Sequence, residues 1–208
     1  MTVRNVLDLY RREVEAPRQE HYFHFTLEGK RILSTEEFFR RTAALSSSLD
    51  SLGVRRGDRV MILADNRPEW HMADLATVAL GAVDVPLYGT LNAAQIAYQA
   101  KDSGAKVAVV ESPEQMAKFL EIKDDCPDLE QLIQIEGPVA SGVRSLEEVV
   151  DTGDSNDAGD LFWQRADKVT KDDLLTLIYT SGTTGNPKGV SLTYEALVAN
   201  VEASKHRA

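Results

Sequence analysis

Apolar residues change their spacing repeatedly along the chain, and each change marks an element. Residues 4–15 place Val6, Leu9 and Tyr10 on one side of a short amphipathic helix. "HYFHFTLEGKRIL" alternates around Gly29-Lys30 and predicts two strands joined by a turn. Ser34-Thr35-Glu36-Glu37 is a capping-box pattern, and Phe38, Ala44, Leu45, Leu49 and Leu52 follow at helical spacing until Gly53.

From Arg59 a regular phase sets in. "RVMILAD", "AVDVPLY", "KVAVVE" and "QLIQIEG" are short apolar runs of the buried-strand type. Between them lie cap-like openings at Asn66-Arg67-Pro68-Glu69, at Thr90 or Asn92, and at Ser112-Pro113, with Gly81 and Gly104 as helix stops. Strand, cap, helix, glycine, strand is the order of a parallel sheet flanked by helices, so the expected class is α/β with a short β-hairpin near the N-terminus. The rhythm loosens at "DTGDSNDAGD", four aspartates with no basic residue, which predicts a solvated acidic loop. "DLFWQRADK" offers one or two helical turns, with Trp163 as a docking side chain. "DLLTLIYTS" is the last strand, and a final helix opens near Thr193.

Composition narrows the function. The chain has 208 residues, 43% hydrophobic and 27% charged, a globular balance. Its formal net charge of -10 repels nucleic-acid backbones, and no Lys/Arg run offsets it. One cysteine, Cys126, excludes an internal disulfide and fits a reducing, cytoplasmic compartment. His21, His24, His71 and His206 are scattered, which predicts no metal site. The most apolar stretch, Leu75 to Val83, lies between Asp74 and Asp84 and is too short to cross a bilayer.

"YTSGTTGNPKGV", Tyr179 to Val190, concentrates the chemistry. It follows a strand directly, where parallel sheets collect ligands. Gly182, Gly185 and Gly189 permit left-handed or close backbone approaches, so successive amides can converge on an anion. Thr180, Ser181, Thr183 and Thr184 add hydroxyls, and Lys188 adds a positive charge. The pattern is a phosphate cradle. It is not a Walker A loop, because the lysine precedes glycine and no hydroxyl follows it.

This motif closely resembles the signature loop of the adenylate-forming enzymes. "DNRPEWHMADLATVALGAVDVPLY" and "GVSLTYEALVANV" resemble the long-chain fatty acyl-CoA synthetase branch. The resemblance implies the first part of an acyl-CoA synthetase-like N-terminal domain. Residues 1–208 would be the N-terminal portion of an AMP-binding domain, 151–170 a mobile acidic linker within it, with the C-terminal domain absent. It implies a ligase that uses ATP and magnesium to make an acyl-adenylate from a fatty acid, then passes the acyl group to coenzyme A. It places Thr180, Ser181, Gly182, Thr183, Thr184, Gly185 and Lys188 on the phosphate-binding positions.

The later family motifs would lie beyond Ala208, so no catalytic residue and no metal ligand is assigned here, and the chain alone is expected to be inactive. Where the branch often carries histidine after the loop, this chain has Tyr194, a candidate for the acyl pocket. Peripheral membrane contact is compatible with such a substrate. The competing reading is a non-catalytic nucleotide-binding or interaction module of the same descent; a generic phosphotransferase lacks an identifiable base and metal carboxylates. Asn66 to Trp70 reads as a helix cap with an anchoring tryptophan, Tyr88-Gly89-Thr90 as a turn or a tunnel border, and Asp172-Asp173 as a turn.

Overall fold

The computed structural model describes residues 5–26, 29–180 and 186–205. Helix α1 (Val6–Glu15) leads to a separate antiparallel hairpin of β1 (Tyr22–Thr26) and β2 (Gly29–Leu33), then to α2 (Thr35–Ser51). The Ser34 hydroxyl accepts from the Glu37 amide at 3.1 Å, as the capping pattern predicts.

The main sheet has seven strands: β3 (Arg59–Leu63), β4 (Val83–Pro86), β5 (Ala105–Val110), β6 (Gln131–Gln134), β7 (Arg144–Ser145), β8 (Leu174–Thr180) and β9 (Lys188–Thr193). Their order is β7-β6-β5-β3-β4-β8-β9. All neighbours are parallel except β8 and β9. The helices between strands are α3 (Pro68–Ala79), α4 (Ala93–Ser103), α5 (Pro113–Ile122), α6 (Leu146–Gly153) and α7 (Ala158–Ala166), and α8 (Tyr194–Lys205) follows β9. Helix α4 opens on the Asn92–Gln95 capping box.

Two apolar layers form because strand side chains alternate between faces. Val60, Ile62, Val107 and Val109 join the core that includes Phe38 and Leu45 of α2, Met72 of α3, Val149 of α6 and Phe162 of α7. Met61, Leu63, Ala108 and Val110 join the opposite core, with Ile96 of α4 and Met116 and Phe119 of α5. A strand buried on both faces reads as a continuous apolar run, which explains "RVMIL" and "AKVAVV".

Three expectations are corrected. The acidic stretch is not an extended loop: α6 continues to Gly153 and α7 begins at Ala158, leaving a short turn. Its aspartates face solvent while Val149, Val150, Ala158 and Phe162 are buried, so packing outweighs the polar composition. Trp163 docks this segment as expected, stacked on Phe39 at 5.3 Å with the Arg11 guanidinium 4.5 Å above its ring. Second, Asn66 is not a cap. Arg67 occupies that position without a capping hydrogen bond, and its side chain joins a cluster of carboxylates. Third, "KGVSLT" forms β9, a strand that its mixed composition does not signal.

At Gly153, α6 packs directly against α2. A Cβ there would overlap the Ala44 carbonyl oxygen and lie 2.6 Å from Ser48 Oγ, the hydroxyl that donates to the Val149 carbonyl. Gly153→Ala must push α6 off α2, and overpacking of this kind costs about 1–3 kcal/mol. A urea midpoint unchanged from wild type would show that the two helices are not in this register.

Candidate functional site

Strands β3 and β5 are neighbours, yet their following helices α3 and α5 cover opposite faces. Their carboxyl ends therefore flank a topological switch point, where open α/β sheets leave a crevice. A cleft of about 520 Å³ lies there, bordered by His24, Asp65, Asn66, Tyr88 and Glu111 among others. Tyr88 and Gly89 line this cleft, and they also form a turn, with the Leu91 amide donating to the Tyr88 carbonyl at 3.1 Å. Lys118 holds that loop by donating to the Gly89 and Leu91 carbonyls at 3.0 and 2.8 Å.

The described ends of the hydroxyl- and glycine-rich motif lie at the same edge of the sheet. Strand β8 runs parallel to β4, so Thr180 points toward the rim that carries the other carboxyl ends. The chain then returns antiparallel as β9, and Thr180 opposite Lys188 is the last ladder pair before the turn. Both residues are exposed. Ser181, Gly182, Thr183, Thr184 and Gly185, also assigned to phosphate binding, lie outside the described residues. Gly189 is described: its φ is not in the left-handed region, and it lies under the Tyr179 ring instead.

The hairpin is docked by side chains from both layers. On one face the Tyr194 ring is fully buried and its hydroxyl donates to the Val78 carbonyl of α3 at 2.8 Å. No part of Tyr194 reaches solvent, so the residue the sequence offers for the acyl pocket is here a core side chain. Burial, then the nearby carboxylates of Asp74 and Asp173, push its phenol upward, so it stays a donor. On the other face the Tyr179 hydroxyl donates to Asp102 Oδ2 of α4 at 2.6 Å. Burial first, then the Asp102 carboxylate, raises that phenol as well. At the start of β8, Arg56 pairs with Asp173. Burial works against the Asp173 charge, but hydrogen bonds from Thr170 and Arg56 more than offset it and hold the carboxyl below its usual range. Asp173 accepts from the Thr170 amide at 2.6 Å, the turn role expected of Asp172-Asp173.

Between the hairpin and the parallel strands, Asp84 of β4 faces Thr176 of β8 in the ladder and is only 4% exposed. Burial pushes its carboxyl up to about 7. Asp74 of α3 is raised too, by burial and by Asp84 itself. The sequence carried one signal of this pair, a lone charge inside the apolar run "AVDVPL". Among the described residues no group of three or more His, Cys, Asp or Glu is placed to hold a metal ion, and no helix is long and apolar enough to cross a membrane.

The AMP-binding enzyme family matches residues 10–208. The chain is 40% identical over 165 residues to the long-chain-fatty-acid–CoA ligase FadD15 of Mycobacterium bovis, covering 79% of this chain and 26% of that protein. It thus spans about a quarter of the length of the curated relatives it matches. Among solved structures, the inhibitor-bound N-terminal domain of FACL13 from Mycobacterium tuberculosis superposes with a TM-score of 0.76 at 25% identity, covering 97% of this chain and 48% of that one. The anthranilate CoA ligase AuaEII, in complex with anthranoyl-AMP, shares the fold with a TM-score of 0.79 at 24% identity, over 94% of this chain and 36% of that one. Motif, sheet order and family match agree: this chain belongs to the AMP-binding enzyme family.

Proposed function

We propose that this chain is the N-terminal, triphosphate-binding portion of an AMP-forming ligase that activates a long-chain fatty acid as its acyl-adenylate and transfers it to coenzyme A. The observation that carries the reading is the position of the motif. Thr180 and Lys188, exposed at the carboxyl rim, face each other as the end pair of the β8–β9 ladder, and the glycine- and hydroxyl-rich residues 181–185 lie between them in sequence. Relatives of this chain are long-chain-fatty-acid–CoA ligases by name, which supports the substrate class.

In this reading Thr180, residues 181–185 and Lys188 hold the β- and γ-phosphates of ATP. The carboxylate attacks the α-phosphorus and pyrophosphate leaves, its charge held by amide and hydroxyl donors and by the Lys188 ammonium. Magnesium would supply further neutralisation of that charge. The site is therefore a clamp for the leaving group, built to act by position and charge.

Lys188→Ala tests the clamp. One lysine–phosphate contact is on the order of 4 kcal/mol at an effective dielectric of about 20 before desolvation is subtracted. Calorimetric titration with ATP is expected to show at least a tenfold weaker affinity, with the urea midpoint unchanged because the side chain is exposed. Equal affinity would give the lysine another job. The competing reading is a nucleotide-binding module without turnover. Fatty-acid-dependent exchange of labelled pyrophosphate into ATP by this chain would remove it.

A further inference from the structure

The distal half of the loop-bearing hairpin has little sheet to hold it. The ladder from β4 to β8 has one register pair, Asp84 with Thr176. Leu177 to Thr180 continue past that pair toward the rim, laddered only to β9. What fastens this end lies in the side chain of Tyr179.

Three observations meet there. Tyr179 is the ladder partner of Gly189, one step before the last pair, Thr180 and Lys188. Its ring covers Gly189 so closely that a Cβ at 189 would sit 3.3 Å from Tyr179 Cζ and 3.5 Å from the hydroxyl oxygen. The hydroxyl then reaches across to α4 and donates to Asp102 Oδ2 at 2.6 Å, a short, charge-assisted bond. Tyr179 itself is 6% exposed and packs in the α4–α5 core, whereas Asp102 is exposed. One side chain thus clamps both strands of the hairpin and ties them to a helix of the main domain.

We infer that Tyr179 and Asp102 form a positioning pair that sets the aim of Lys188, and that the glycine after Lys188 leaves the tyrosine ring its close seat. The inference rests on the proposed triphosphate site. It assigns Gly189 a packing role, distinct from anion contact. Because Asp102 is exposed, losing the bond leaves no buried charge stranded, and the loss acts on the geometry of the rim more than on global stability.

The test compares wild type with Tyr179→Phe, Asp102→Ala and Asp102→Asn. Amide exchange at Lys188 to Val190 is followed without nucleotide, ATP affinity by calorimetry and stability by urea unfolding. Tyr179→Phe and Asp102→Ala should each exchange faster at 188–190 and bind ATP roughly tenfold more weakly, the scale of one hydrogen bond to a charged group. Asp102→Asn keeps an acceptor oxygen and should stay within about twofold of wild type, which a simple packing role would not distinguish from alanine. Wild-type exchange in both Tyr179→Phe and Asp102→Ala overturns the pair, as does a fall in the urea midpoint that accounts for the lost affinity. If wild type binds no ATP, the triphosphate reading fails, and the exchange rates alone still decide whether the pair holds the rim.

Discussion

Replacing Arg67 by alanine is expected to cost the fold about 3–5 kcal/mol, the scale seen when one partner is removed from a buried ion pair. The Arg67 side chain is 6% exposed and meets Glu69 Oε2 at 2.9 Å, Glu111 Oε1 at 3.1 Å and Glu136 Oε2 at 2.8 Å. Glu69 is itself 2% exposed in its side chain and is also paired with Arg31 of β2. Burial alone would raise the Glu69 carboxyl, but the Arg67 hydrogen bond, its own backbone amide and the two guanidinium charges hold it below the usual range. That contribution is present at neutral pH and is lost as pH falls through the depressed value. Without Arg67 the carboxylate stays buried with one partner instead of two, and the ends of β3, β5 and β6 lose their common tie. Urea unfolding at pH 7 measures the loss. A double replacement, Arg67→Met with Glu69→Gln, should recover much of it, since it removes the charge along with its partner. A cost below about 1 kcal/mol for Arg67→Ala would mean that solvent replaces the guanidinium freely.

Asp84→Asn should stabilise the protein at pH 8 and leave it nearly unchanged at pH 4. The wild-type carboxyl titrates at about 7 in the folded chain against an ordinary value of 3.8. The folded state therefore holds a proton that the unfolded state has already released. Stability falls as pH rises from about 4 to about 7 and levels off above that, by an amount on the order of 4 kcal/mol. Asp74 of α3 is a second carboxyl whose proton Asp84 also favours, while Thr176 and the Asp84 backbone amide favour the charged form and temper the shift. Asparagine resembles the protonated acid and removes the penalty. Unfolding curves at four pH values for the two proteins would show their difference growing between pH 4 and 7. Parallel curves would place the Asp84 proton elsewhere.

Much of the fold was legible because several local signals agreed at the same positions. Ser34 with Glu37, Asn92 with Gln95, and Ser112 with Pro113 each open a helix where an apolar run ends, and the structure places helices there. The buried strands declared themselves through unbroken apolar runs. The misreadings have two physical origins. Arg67 was read as part of a cap because its carboxylate partners, Glu111 and Glu136, lie 44 and 69 residues away in sequence. The end of α6 and the start of α7 are hidden because aspartates mark solvent exposure, not backbone conformation.

The site divides in the same way. The crowding of glycine, hydroxyl and lysine in residues 179–190 is a local property, readable without coordinates, and so is the order of strands and caps that sets the α/β class. That β8 and β9 pair antiparallel, that Tyr179 reaches Asp102, that Tyr194 turns into the core and that Asp84 faces Thr176 are facts of the tertiary structure alone. Each depends on which face of the sheet a side chain meets and which distant segment packs there, and no local pattern of residues encodes that meeting.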